Sequence, residues 1–257
     1  MQHHRDSEVE FAKQASGFGD PRLNIARADY LEWMLGYLPI SPGARVLDVC
    51  AGTGHVSRAL APRVHHVIAV DLTPEMLREL TRQASADRLS NLSPVRGLAE
   101  QLPIRSASID VVVTRFALHH VQEPAAVLTE MARACRRGGV IGVIDLVAPD
   151  DPALAERYND YERLRDPSHV RALSEDNLQN LMERAGLQPT AFAKREIEVD
   201  VDAWLGLSKT AEADAQRIKR DLLAELDGGE PTGMRPFRRA AELAFLQRWV
   251  VSVAGKL

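Results

Sequence analysis

Residues 46–55, Val-Leu-Asp-Val-Cys-Ala-Gly-Thr-Gly-His, constrain the fold of this chain more than any other stretch. An apolar run is followed by a turn of small residues carrying Gly52 and Gly54, and residues 56–60 resume at helical spacing. The pattern predicts a first strand entering a first helix through a glycine turn. In an open α/β sheet such a turn lies outside the carboxyl end of the strand, where ligands bind. Glycine has no side chain to hold a ligand away from the backbone. The spacing departs from the Gly-x-Gly-x-x-Gly dinucleotide fingerprint, because Ser57 stands where the third glycine would fall. Asp48 ahead of the turn suits a cationic ligand better than a pyrophosphate.

The alternation continues downstream. Apolar segments at 66–70, 93–96, 109–114 and 140–147 predict four further strands. Between them, Thr73-Pro74-Glu75 opens one helix, and Glu123-Pro124 opens another that should run to Gly138-Gly139. Five strand–helix steps within 44–148 predict an open, doubly wound, mostly parallel sheet. Ahead of this region, residues 5–38 read as two helices broken at Gly17-Phe18-Gly19-Asp20-Pro21. Beyond it come helices at 152–165 and 174–185, a strand at 187–201, a helical stretch at 203–226 broken near Ser208, and a Gly/Pro loop at 227–233. A final strand occupies 245–253.

Composition narrows the class. With 45% apolar and 26% charged residues the chain is an ordinary globular one, and a net charge of −4 gives no pull toward nucleic acid or anionic membrane. No apolar stretch reaches the ~18 residues of a membrane span, and residues 1–13 are too polar for a secretory signal. Two cysteines, Cys50 and Cys135, are too few for a disulfide framework, so a cytoplasmic setting is expected. His3-His4 reads as a frayed terminus without function. Cys50 reads as a small packing residue, and Arg133, Arg136 and Arg137 as charges at a helix C-terminus. The His65-His66, His119-His120 and His169 positions have no metal-ligand spacing, so no metal is expected.

Asp71 ends the second strand, 23 positions after Asp48, where a carboxylate can accept both hydroxyls of an adenosine ribose. A cationic ligand carrying adenosine is S-adenosylmethionine, with its ammonium and sulfonium. From about Phe11 to Leu187 the chain resembles the class I S-adenosylmethionine-dependent methyltransferases, in the group that includes the ubiquinone and menaquinone C-methyltransferases. The segments that carry the resemblance are 46–54, 67–71, 97–103 and 109–120. The resemblance implies a seven-stranded Rossmann-like sheet whose last strand is antiparallel, with N-terminal helices and a helical lid. It implies one methyltransferase domain over 1–257: a helical cap at 1–40, a cofactor-binding core at 44–148, lid helices and strand six at 149–240, and the final strand at 241–257.

It also implies the cofactor contacts. Asp48, Ala51, Gly52, Thr53 and Gly54 would hold the methionine end, Asp71 and Leu72 the ribose, and Leu98, Ala99 and Glu100 the adenine. Arg115 and Phe116 would lie beside the amine, Arg115 through its backbone carbonyl. Two positions depart from the family pattern: Leu98 replaces an aspartate that accepts the adenine amino group, and Phe18 replaces a tyrosine.

Methyl transfer needs in-line alignment, and a base only when the acceptor is protonated. His119 and His120, at the exit of the fourth strand, are the candidate bases, or a helix cap and a pocket wall. Asp145, late in strand five, is either a base or an acceptor for neighbouring amides. Tyr158, Tyr161, Arg165 and His169 fall in the lid segment, with His169 expected at the substrate pocket. The partner is then a small-molecule methyl acceptor, with room for a homodimer. The alternatives are an S-adenosylmethionine-binding protein that performs no methyl transfer, cyclase-like or sensor, and an NAD(P)-dependent oxidoreductase. The latter is disfavoured because no Tyr-x-x-x-Lys-like pair is present.

Overall fold

The computed structural model describes residues 2–15, 17–20 and 23–257. Its strands are, in chain order, β1 (Arg45–Val49), β2 (His66–Asp71), β3 (Leu92–Arg96), β4 (Ile109–Arg115), β5 (Cys135–Val147), β6 (Leu187–Asp200), β7 (Pro236–Arg239) and β8 (Glu242–Lys256). They hydrogen-bond in the order β3-β2-β1-β4-β5-β8-β6, with β7 paired to β8. The pairs among β1 to β5 are parallel, whereas β8 runs antiparallel between β5 and β6. The strand order reverses between β1 and β4. A crevice therefore opens at their carboxyl ends, the position where open α/β sheets take ligands.

The helices are α1 (Gln2–Gln14), α2 (Ala28–Leu35), α3 (His55–Leu60), α4 (Pro74–Ala86), α5 (Pro124–Ala134), α6 (Pro152–Arg165), α7 (Glu175–Arg184), α8 (Val201–Leu207) and α9 (Glu212–Leu226). Because side chains alternate along a strand, the β-branched runs feed two cores. Val46, Val111 and Val113 pack into one with α2 and α8. Leu47, Val49 and Val112 pack into the other with α5 and α7. Asp151 caps α6 by accepting the amides of Ala153 and Leu154, and Ser174 caps α7 by accepting that of Asn177, whereas Thr73 heads α4 without a side-chain cap bond. No described helix is long and apolar enough to cross a membrane.

Several boundaries differ from the sequence expectation. The helix opened by Pro124 stops at Ala134, not at Gly138-Gly139. Cys135 is already extended and pairs with Ile109, and a register shift between Ile109 and Val111 absorbs the glycines. Gly139 is needed for packing, since a Cβ there would meet Cys135 Sγ at 2.7 Å and Asp110 O at 2.8 Å. Arg136 and Arg137 therefore sit on a strand rather than at a helix C-terminus, and Arg136 pairs with Asp110 at 2.6 Å. The seven strands expected form one continuous path, and among the described residues an additional short strand, Pro236–Arg239, too polar to read as a strand, pairs with β8 off that path. The second N-terminal helix begins only at Ala28, after a separate 3-10 turn at Asn24–Ala26, because Arg27 is extended. His3-His4 is not a frayed end: both belong to α1, and His4 Nε2 lies 3.1 Å from Glu100 Oε1. Pro21, assigned to the break before that helix, lies outside the described residues.

Candidate active site

The carboxyl ends of β1, β2, β4 and β5 open into one elongated cavity. Its floor is the glycine turn. Cys50, Gly52 and Gly54 all have positive φ, at 57°, 55° and 82°. A Cβ on Gly54 would lie 2.6 Å from Leu80 Cγ, so this position tolerates no side chain. A Cβ on Gly52 would meet nothing within 4 Å and would project into open space. Asp48, fully buried, fixes the turn from below: its Oδ2 accepts from the Ser57 amide at 3.0 Å and the Ser57 hydroxyl at 2.6 Å. Serine in place of the third glycine thus supplies the bonds that hold the aspartate. Burial nevertheless pushes the Asp48 carboxyl up to about 7.

Asp71 ties the turn to the next strand end, accepting from the Gly52 amide at 2.8 Å and the Thr73 amide at 2.9 Å. Burial raises its pKa against those bonds. Leu72, Leu98, Ala99 and Glu100 continue the same wall. The Thr53 hydroxyl, in the turn itself, is buried with no partner among the described residues.

Over this floor lies α1, with Phe11 and Gln14 facing the cavity. The helix is held by His4 to Glu100, by Glu8 to Arg96 at 2.8 Å and by Gln14 to Asp166 at 3.1 Å. Trp204 of α8 and Gln247 and Trp249 of β8 close the far end. Trp249 packs on Phe116 with ring centroids 4.5 Å apart.

Between floor and far end sits a histidine cluster. His119 Nδ1–H donates to Asp145 Oδ1 at 2.5 Å, both side chains being about 5% exposed. Asp145 also accepts from the Leu146 amide at 2.8 Å and the His119 amide at 3.3 Å. It thus accepts from neighbouring amides, one of the two roles the sequence left open, and it also orients an imidazole. With Nδ1 committed, the Nε2 lone pair of His119 is available as an acceptor. His120 Nδ1 lies 3.0 Å from the Ser168 hydroxyl, which itself donates to Asp166 at 2.5 Å, so His120 is the donor of the pair. Burial and the neighbouring His119 push His120 down to about 3. Burial would raise the Asp166 carboxyl, but Arg165, His120 and its bonds from Ser168 and Gln14 hold it below the usual range.

His169 stands behind the cluster and does not line the cavity. Its Nε2 binds Asn159 Oδ1 at 2.8 Å and its ring centroid lies 5.5 Å from that of His119. Tyr158 and Tyr161 are likewise not in the wall. Tyr158 donates to buried Glu162 at 3.0 Å, which also accepts from Arg165 at 3.1 Å and Gln247 at 3.1 Å. Among the described residues no cluster of three or more His, Cys, Asp or Glu could hold a metal ion.

Residues 46–139 match the family described as Methyltransferase domain. Over 199 residues the chain is 33% identical to an uncharacterized methyltransferase of Bacillus subtilis, YcgJ, spanning 77% of this chain and 78% of that protein. The chain belongs to the class I S-adenosylmethionine-dependent methyltransferases. The crystal structure of YcgJ superposes on this methyltransferase with a TM-score of 0.82 at 27% identity, covering 90% of this chain and 100% of that one. A demethylmenaquinone methyltransferase of Clavibacter sepedonicus is 29% identical over 199 residues, 77% of this chain and 78% of that protein. The enzyme accordingly catalyses S-adenosylmethionine-dependent methyl transfer.

Of the residues read from the sequence, the methyltransferase brings Asp48, Ala51, Gly52, Thr53, Asp71, Leu72, Leu98–Glu100, Arg115, Phe116, His119 and His120 to one cavity, while Gly54 lies against Leu80 and outside the wall. Asp145 reaches it through His119. The sequence reading missed α1, His55, Trp204, Gln247 and Trp249. Gln247, a polar residue in the apolar 245–253 strand, was the one available signal.

Proposed function

We propose that this methyltransferase acts on a small organic acceptor that loses a proton on methylation, a hydroxyl, phenol or acidified carbon on an apolar frame. The observation that carries the proposal is the buried His119–Asp145 pair in the cavity wall, 2.5 Å apart. The donor site fits S-adenosylmethionine: Gly52 leaves open space where a Cβ would be, the buried Thr53 hydroxyl lacks a partner, and Asp71 retains lone pairs beyond its two amide bonds. When bound, that cofactor supplies a methyl group activated by a sulfonium. In this reading Asp48 and the Gly52–Gly54 turn receive the methionine end, Asp71 and Leu72 the ribose, and Leu98, Ala99 and Glu100 the adenine. Leu98 offers no carboxylate there, and a hydrogen bond to a charged acceptor forgone costs about 1.5–3 kcal/mol.

His119 takes the acceptor proton on Nε2, and Asp145 orients and stabilises the resulting imidazolium. The aromatic end formed by Trp204, Trp249 and Phe116, and the helix latched across the opening, favour an apolar small molecule. The relative named for demethylmenaquinone supports the same substrate class. The unpaired cysteines, Cys135 buried and Cys50 half-buried, support a reducing, cytoplasmic setting.

The test is formation of S-adenosylhomocysteine from the donor against a panel of phenols, enols, carboxylic acids and tertiary amines. Turnover confined to proton-losing acceptors, and abolished in His119→Ala, is expected. Turnover of tertiary amines with His119→Ala at wild-type rate would overturn the role of the pair.

A further inference from the structure

Arg115 leaves β4 into the cavity wall with a charge that forms no ion pair among the described residues. Its Nη2 donates to the Ile25 carbonyl and its guanidinium lies 4.8 Å from the Phe116 ring centroid. Its Nε is sealed from solvent and has no partner. The cavity's other arginine is different: Arg165 meets Glu162 at 3.1 Å and Asp166 at 3.6 Å, so its charge is already answered. Buried charges are paired because an unpaired one is expensive, and a buried N–H without an acceptor marks a missing partner. Burial, opposed by the charge of Asp48, brings Arg115 down to about 10, still far above neutrality, so the guanidinium stays charged.

The surroundings say where the missing anion sits. β1 and β4 pair Val49 with Thr114, which sets Arg115 opposite Cys50 at the head of the glycine turn. His55, the first residue of α3, feels the same charge: burial, then Arg115 and Arg58, push it down to about 4. It stays neutral and donates Nε2–H to the Phe18 carbonyl at 3.1 Å. Asp48 is the carboxylate whose charge Arg115 feels, but the two form no ion pair and Asp48 Oδ2 is spent on Ser57. The partnerless Thr53 hydroxyl lies in the same turn. Phe18, in the wall nearby, has no hydroxyl to offer.

We infer that the Arg115 side chain is the receptor for a ligand carboxylate, and that this carboxylate belongs to the methionyl tail of the methyl donor rather than to the acceptor. The inference rests on the proposed placement of the donor. It moves Arg115 from a backbone contact to the counter-charge that fixes the amino-acid end of the cofactor over the turn.

Calorimetric titration with S-adenosylhomocysteine and with its carboxyl methyl ester tests it, on wild type and on Arg115→Met. Wild type should bind the ester about 10- to 100-fold more weakly than the acid, the range of a charge-assisted hydrogen bond. Arg115→Met should lose a similar factor for the acid and be indifferent to esterification, a coupling that independent effects would not produce. Arg115→Lys should recover part of the loss. The ligand-side comparison stands even if Arg115→Met fails to fold. Equal binding of acid and ester by wild type overturns the inference. So does an Arg115→Met protein that weakens both ligands alike, because Arg115 would then only prop the wall. Wild type that binds neither ligand overturns the placement of the donor itself, a distinct failure.

Discussion

Replacing Asp48 with asparagine isolates the cost of burying one carboxyl beneath the glycine turn. The group is 1% exposed and its pKa is pushed from 3.8 to about 7, chiefly by desolvation. Between those values the folded protein holds a proton that the unfolded chain has released. Stability conferred at low pH is therefore lost as the pH rises through the window. At about 1.36 kcal/mol per pH unit, the whole gap amounts to about 4 kcal/mol, of which about 3 kcal/mol falls between pH 5 and pH 8. Asparagine mimics the protonated form in shape and charge and can still accept the Ser57 amide bond. Near pH 5 the two proteins should differ by no more than about 1 kcal/mol, one neutral hydrogen bond.

Urea unfolding at pH 5, 6, 7 and 8, extrapolated linearly to water, measures the difference. Taking wild type minus variant cancels every other titrating group. The asparagine variant should gain about 3 kcal/mol on wild type between the two ends of the series. Parallel stability curves would refute the argument, since they would mean that Asp48 is ionised in the folded protein at every pH tested.

Other perturbations separate structure from chemistry. Gly54→Ala, which forces a Cβ to 2.6 Å from Leu80 Cγ at φ +82°, should lose about 2–4 kcal/mol in thermal or urea unfolding. Gly52→Ala meets no protein atom, so its backbone strain should cost only about 1–3 kcal/mol while S-adenosylhomocysteine binding by calorimetry falls sharply. Asp145→Asn should bind S-adenosylhomocysteine as wild type does but turn over acceptor about 10²- to 10⁴-fold more slowly in steady-state assays. Arg165→Met strands the buried Glu162 carboxylate and should lose about 3–5 kcal/mol in urea unfolding, part of which Glu162→Gln restores in the double variant.

The core of the fold was legible because its signals are local. Apolar runs ending in Asp48 and Asp71 mark strand ends, and proline after Thr73 and Glu123 marks helix starts. That the glycine turn and the strand end at Asp71 lie together was legible for the same reason: a turn and the strand that precedes it are neighbours in the chain. Signals failed where one residue type serves two purposes. Gly138-Gly139 looks like a helix stop, yet the glycines sit in a strand, Gly138 at φ +70° and Gly139 crowded by Asp110 and Cys135. Arg238 and Arg239 hide a strand because an edge hairpin can be polar on both faces. The far end of the cavity was the least legible. Nothing near Phe11, Trp204 or Trp249 in sequence announces that they meet, and Arg115 declared a backbone role while its side chain carries the more telling charge.

The wall of the cavity draws on α1, at residues 2–14, and on β8, at residues 242–256, so its two sides come from opposite ends of the described chain. Contacts of such long range cost more loop-closure entropy than the local strand–helix steps, so the cavity is complete only when both ends of the fold are in place. A ligand in this cavity cannot nucleate the fold that binds it. It acts instead as a clasp on the finished protein: it adds its binding free energy to the native state alone and registers as slower unfolding rather than faster refolding.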